Sequence, residues 1–86
     1  MHITRQDVVN RLSDYLHHRL TVAQLVDWAE AAMQEGEFET EGFESIRNAV
    51  ARIGLADVRT FGLNWEDCEE LLGELGFEAH VEIVAA

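Results

Sequence analysis

Lysine is absent from this chain of 86 residues, and its six arginines face 17 aspartates and glutamates, for a formal net charge of −11 at pH 7. A molecule so charged is repelled by nucleic-acid phosphates and by anionic membrane surfaces, so neither is expected among its partners. Cysteine is nearly absent too: Cys68 stands alone, with no second thiol for an internal disulfide, which agrees with a reducing, cytoplasmic setting. No apolar run approaches the roughly 20 residues that cross a bilayer. Residues 1–5 lack the basic flank and following apolar stretch of a secretory leader, so the expectation is a soluble intracellular protein. Gly36, Gly42, Gly54, Gly62, Gly73 and Gly76 are scattered singly and in no phosphate-loop spacing; no nucleotide and no other cofactor is expected.

What is present suffices for folding. Hydrophobic residues make up 48% and charged residues 27%, the balance of a globular chain, and the length fits one small acidic helical domain over residues 1–86. At this size folding buries only about two-thirds of the surface that the unfolded chain exposes, so the stability margin is thin.

Helix starts are legible. Thr4 with Asp7, Thr21 with Gln24, and Asn64 with Asp67 each set a cap residue three positions before a reciprocating side chain. Ile3 with Val8, Leu20 with Leu25, and Leu63 with Cys68 flank those caps as hydrophobic staples. The first helix is predicted from Arg5 to near Arg19, with Val8, Val9, Leu12, Tyr15, Leu16 and Leu20 on its apolar stripe. The second starts at Val22, buries Val22, Leu25, Val26, Ala29, Ala32 and Met33, and ends at a left-handed Gly36, forming a tight corner or antiparallel pair with the first. Residues 35–44 read EGEFETEGFE, a solvated connection. A third helix follows over about residues 41–53, with Phe43, Ile46, Val50 and Ile53 inward, Arg47 and Arg52 outward, and a Schellman ending at Gly54 and Leu55. The fourth covers about residues 65–75, with Trp65, Cys68, Leu71, Leu72 and Leu75 inward and Gly76 as its terminator.

Beyond Gly76 the period becomes two, since Phe77, Ala79, Val81 and Ile83 alternate with Glu78, His80, Glu82 and Val84. The predicted fold is therefore mainly α, a compact four-helix domain closed by a short C-terminal β-strand. That strand pairs either with a short strand near residues 58–61 or with its counterpart across a dimer axis.

No set of residues converges on catalysis. Ser13 and Ser45 lie within helices with no nucleophile-elbow glycines. Cys68 falls on an apolar stripe, bracketed by Glu66, Asp67, Glu69 and Glu70, and reads as a small buried hydrophobe. His17 and His18, with Asp14 on the same face, are too few for a metal site, and only the distant His2 and His80 remain to contribute. The acidic run 35–44 has no aspartate and misses the calcium-loop pattern. Residues 20–32 resemble a DNA-reading helix-turn-helix only superficially, because Asp27 and Glu30 sit on the helix. No enzyme, metal or cofactor is expected.

The acids gather in two zones, Glu35, Glu37, Glu39, Glu41 and Glu44 in the connection and Glu66, Asp67, Glu69, Glu70 and Glu74 on the fourth helix, separated by Arg47, Arg52 and Arg59. Solubility alone would account for such charge; electrostatic steering toward a basic protein is the functional account. On that account the ten acids form the binding surface. Trp28, off the apolar stripe of its helix, is the surface aromatic, while Trp65 covers the core edge. The expected function is a non-enzymatic protein-binding module, acting as an inhibitor of a basic nucleic-acid-binding or nuclease surface. In size and acidity the chain resembles the bacterial immunity proteins that block toxic nucleases, a resemblance of bulk properties. The alternative is a homodimeric structural or regulatory subunit that associates through its C-terminal strand.

Overall fold

Three helices begin where their polar caps require it. The computed structural model describes residues 1–58, 62–79 and 83, arranged as β1 (His2–Ile3), α1 (Arg5–Leu16), α2 (Val22–Glu35), β2 (Glu37–Phe38), α3 (Phe43–Ile53) and α4 (Trp65–Glu74). At α1 the Asp7 amide donates to Thr4 Oγ1 at 3.1 Å and the Thr4 amide donates to Asp7 Oδ2 at 2.9 Å. Thr21 and Gln24 reciprocate in the same way at α2, and Asn64 and Asp67 at α4. Each box satisfies donors that the first turn of a helix otherwise leaves unpaired. The staple partners Ile3, Val8, Leu25 and Cys68 are buried, and Leu20 and Leu63 half-buried. α3 differs: its N-cap is Gly42, which supplies no side-chain bond.

The core is apolar throughout the described residues, with no buried polar or charged side chain. α2 packs most extensively on α3, where Leu25, Ala29 and Ala32 meet Ile46, Ala49, Val50 and Ile53, all fully buried. Val8 and Leu12 from α1, and Cys68, Leu71, Leu72 and Leu75 from the α4 region, complete the cluster. Amphipathic stripes thus bury against one another as the spacing predicts.

Several details depart from the sequence reading. α1 stops at Leu16 rather than near Arg19, because His18 turns left-handed at φ 62°. Gly36 is extended (φ −78°, ψ 145°), not left-handed. It must be glycine for another reason: a Cβ there would collide with the Ala32 carbonyl and stand 3.0 Å from Ile3 Cγ1. That closeness lets β1 lie along β2 in parallel, His2 opposite Glu37 and Ile3 opposite Phe38, with the Glu37 amide donating to the Met1 carbonyl at 2.6 Å and the Glu39 amide to the Ile3 carbonyl at 2.8 Å. The acidic stretch expected to be wholly a solvated connection therefore contains a strand. Phe38 is half-buried there and meets Phe43 edge-to-face at 5.8 Å.

Val22, Met33 and Phe43, assigned inward by periodicity, are exposed. Gly54 is right-handed and Leu55 exposed, so α3 has no Schellman ending. That motif closes α4 instead, where Gly76 is left-handed at φ 87° and the Phe77 amide donates to the Leu72 carbonyl at 2.9 Å. Arg5 reaches the same end, with Nη1 donating to the Leu75 carbonyl at 3.2 Å and the guanidinium 5.9 Å from the Phe77 ring centre. A cation is favoured where helix carbonyls end. Residues 77–79 and 83 hold no strand; the remainder of the expected C-terminal strand and, apart from Val58, its expected partner near residues 58–61 lie outside the described residues.

Gly73 and Gly76 should respond in opposite directions. No described atom lies within 4 Å of a Cβ built at Gly73, so Gly73→Ala removes a poor helix former and should stabilise by about 1 kcal/mol, raising Tm by about 4–8 °C. Gly76→Ala forces a left-handed alanine close to Arg5 and should destabilise by about 1–2 kcal/mol. Urea and thermal unfolding measure both.

Candidate functional site

At 100° per residue, Glu66, Glu69, Glu70 and Glu74 fall on one side of α4 and Cys68, Leu71 and Leu72 on the other. The four glutamates are exposed, and among the described residues none of them joins an ion pair. Burying the leucines is therefore what turns these carboxylates outward, on a helix anchored by its own cap.

Asp67 is set apart from this group. It is half-buried, and its Oδ2 accepts both the Asn64 amide at 3.1 Å and Arg52 Nη2 at 3.2 Å. Arg52 also donates through Nη1 to the Gly62 carbonyl at 2.8 Å. Arg52, expected outward on α3, is thus a half-buried strut between α3 and the start of α4, and Asp67 is occupied by structure rather than offered to a partner. Between the two helices runs a groove of about 320 Å³ lined by Asn48, Arg52, Asp67, Glu70, Leu71 and Glu74.

In the other acidic zone Glu35, Glu37, Glu41 and Glu44 are exposed, whereas Glu39 is half-buried and accepts the Arg5 amide at 3.3 Å. The tryptophans exchange the parts expected of them. Trp28 is half-buried against the core with the Arg11 guanidinium 5.4 Å from its ring centre, while Trp65 is 36% exposed.

Trp65 borders a feature the sequence reading missed, a largely apolar groove of about 480 Å³ where the α1–α2 corner faces the start of α4. Tyr15, Leu16, Leu20, Val22, Leu63 and Trp65 supply its apolar lining. One wall is fixed by Tyr15, whose hydroxyl donates to the Leu63 carbonyl at 3.2 Å. The available signal was that two staple residues, Leu20 and Leu63, each precede a cap whose next residue is also apolar.

Cys68 is fully buried, as expected. Burial above all, and then the Asp67 carboxylate, push its thiol from the ordinary 9.0 up to about 11, with Arg52 opposing. His17 Nδ1 lies 2.8 Å from the Ser13 carbonyl. Among the described residues no three His, Cys, Asp or Glu side chains are grouped to hold a metal ion, and no helix is long and apolar enough to cross a membrane. His80 lies outside the described residues.

The fold and its surface define a small, mainly α domain with an outward acidic helix. No protein family, curated protein or solved structure matches the chain.

The raised thiol pKa makes a pH prediction. Between about 9 and about 11 the unfolded thiol loses its proton while the folded one keeps it, so the unfolded state binds fewer protons and stability falls as pH rises. Urea midpoints across that window should show the decline, and Cys68→Ala should flatten it relative to the parent.

Proposed function

We propose that this chain is a non-enzymatic protein-binding module of the cytoplasm, whose acidic surface engages a basic protein and inhibits it in the manner of an immunity protein. The observation that carries this reading is the row of exposed glutamates on α4, Glu66, Glu69, Glu70 and Glu74, which face outward without cationic partners among the described residues. Like charges held together on one helix face repel one another, and a cationic surface relieves that repulsion on contact. Glu35, Glu37, Glu41 and Glu44 extend the negative field, which speeds encounter with a basic surface more than it adds to affinity. Asp67 and Glu39 belong to the scaffold, and Trp28 is withdrawn from the contact surface.

The test is salt. Basic proteins captured on the immobilised chain from its native host should be released between about 0.05 and 0.5 M salt, as the screening length shrinks. The triple variant Glu66→Gln, Glu69→Gln, Glu70→Gln should capture at least tenfold less of them while melting at the parent temperature or above it. Capture indifferent to both salt and the triple variant would overturn the proposal. Sedimentation separates the homodimer alternative, which requires a mass near twice 9.7 kDa.

A further inference from the structure

We infer that the groove between the α1–α2 corner and the start of α4 is the anchoring pocket for the basic partner, receiving one large apolar side chain from a segment whose arginines or lysines lie on Glu66, Glu69 and Glu70. The inference rests on the reading of α4 as the face that binds a basic protein, and adds to it the chemistry of the partner's contact segment.

The groove, at about 480 Å³, has room for one large aliphatic or aromatic side chain, and its walls are preformed. Tyr15 holds the Leu63 carbonyl, Arg52 holds the carbonyl of Gly62, the residue before it, and the Asn64–Asp67 box fixes the first turn that carries Trp65. A pocket held on both sides loses little conformational freedom when filled. Val22 and Trp65 each stand 36% exposed on its lip, so filling it removes apolar surface from water, and tryptophan is the residue type most enriched where interfaces concentrate their binding energy.

Charge decides what fills it. Trp65 and Glu69 are four residues apart on α4 and so adjacent on its surface, which makes the apolar lip continuous with the row of exposed glutamates. Near the opposite wall, Arg19 is already engaged with Asp14 at 3.4 Å. An anionic segment would meet those carboxylates as it docked. A second copy of this chain, with its net charge of −11, would bring the same repulsion with it. A segment with an apolar anchor flanked by cations fits both halves, the arrangement of a hydrophobic centre and charged rim.

Two synthetic peptides of equal positive charge test the pairing, one with a leucine between its arginines and one with serine in its place, titrated into the full chain labelled with ¹⁵N. The leucine peptide is expected to bind at least fivefold tighter, to shift the Trp65 indole Nε1–H and the Leu63 amide, and to lose that advantage in Trp65→Ala and in Val22→Ser, while the serine peptide binds these variants as it binds the parent. Thermal melts confirm that each variant is folded. Equal affinity of the two peptides for the parent chain, or an advantage that survives both substitutions, overturns the pocket. The Glu66→Gln, Glu69→Gln, Glu70→Gln variant separates the two levels: if it weakens both peptides while leucine confers nothing, the acidic face stands and the pocket falls. If it weakens neither, the acidic face itself fails.

Discussion

Everything else in this molecule is arranged around the contact between α2 and α3. Ala29 and Ala32 from one helix and Ala49 from the other are fully buried in it, and small side chains let two helices approach closely. Leu25, Ile46, Val50 and Ile53 fill the seam, each buried branched side chain contributing about 1.5–3 kcal/mol relative to exposure. At the end of α2 only a hydrogen fits at Gly36 between the Ala32 carbonyl and Ile3, and that admits β1 beside β2. With so few residues, an apolar seam of this kind leaves no interior place for an unpaired charge, because burying one costs several kcal/mol. The acids are therefore displaced to the outside by the same packing that holds the helices together.

Among the described residues the arginines form no ion pair with the exposed glutamates of α4. Arg52 joins Asp67 and the Gly62 carbonyl, and Arg5 joins the Leu75 carbonyl across 70 positions of sequence. Arg11 lies over Trp28, and Arg19, just past the end of α1, pairs with Asp14 five positions back. These cations act as ties between segments or as covers for aromatic rings. None of them reaches the exposed glutamates of α4 among the described residues, so the field of that helix persists. It does so on a helix whose first turn is braced twice, by Asn64 and by Arg52, which is the rigidity a docking face requires.

How far this was legible in the sequence follows from the range of each interaction. The starts of α1, α2 and α4 were readable because a capping box is complete within four residues: Thr4 and Asp7 find each other with no help from the rest of the fold. α3 lacked that signal, its N-cap being Gly42 with no side-chain bond, and its start at Phe43 falls later than the expected position near residue 41. β1 and β2 were unreadable because two residues carry no period and their partners lie 35 positions apart. Arg52 was assigned outward from its helix angle, but a long flexible side chain reaches sideways to Asp67, and Asp67 left the candidate surface with it. Trp28 likewise bends back onto the core from an angle that suggested solvent.

One further error has a common physical cause and bears on function. Val22, Phe43 and Trp65 were all placed inward, yet all three stand at least 36% exposed, and all three are the first residue of their helix. Helical side chains lean toward the N-terminus and cover the turn before their own, so a first-turn residue leans past the end of its helix and has no earlier turn to rest on. An apolar side chain there remains in water unless another element covers it. Where two such starts face each other, as Val22 and Trp65 do across Leu20 and Leu63, the uncovered surfaces join into a groove. The local rules that begin α2 and α4 thus leave an apolar notch between them. Because α4 then turns its glutamates outward within one turn of that notch, the groove and the negative face adjoin as a geometric consequence of where two helices begin.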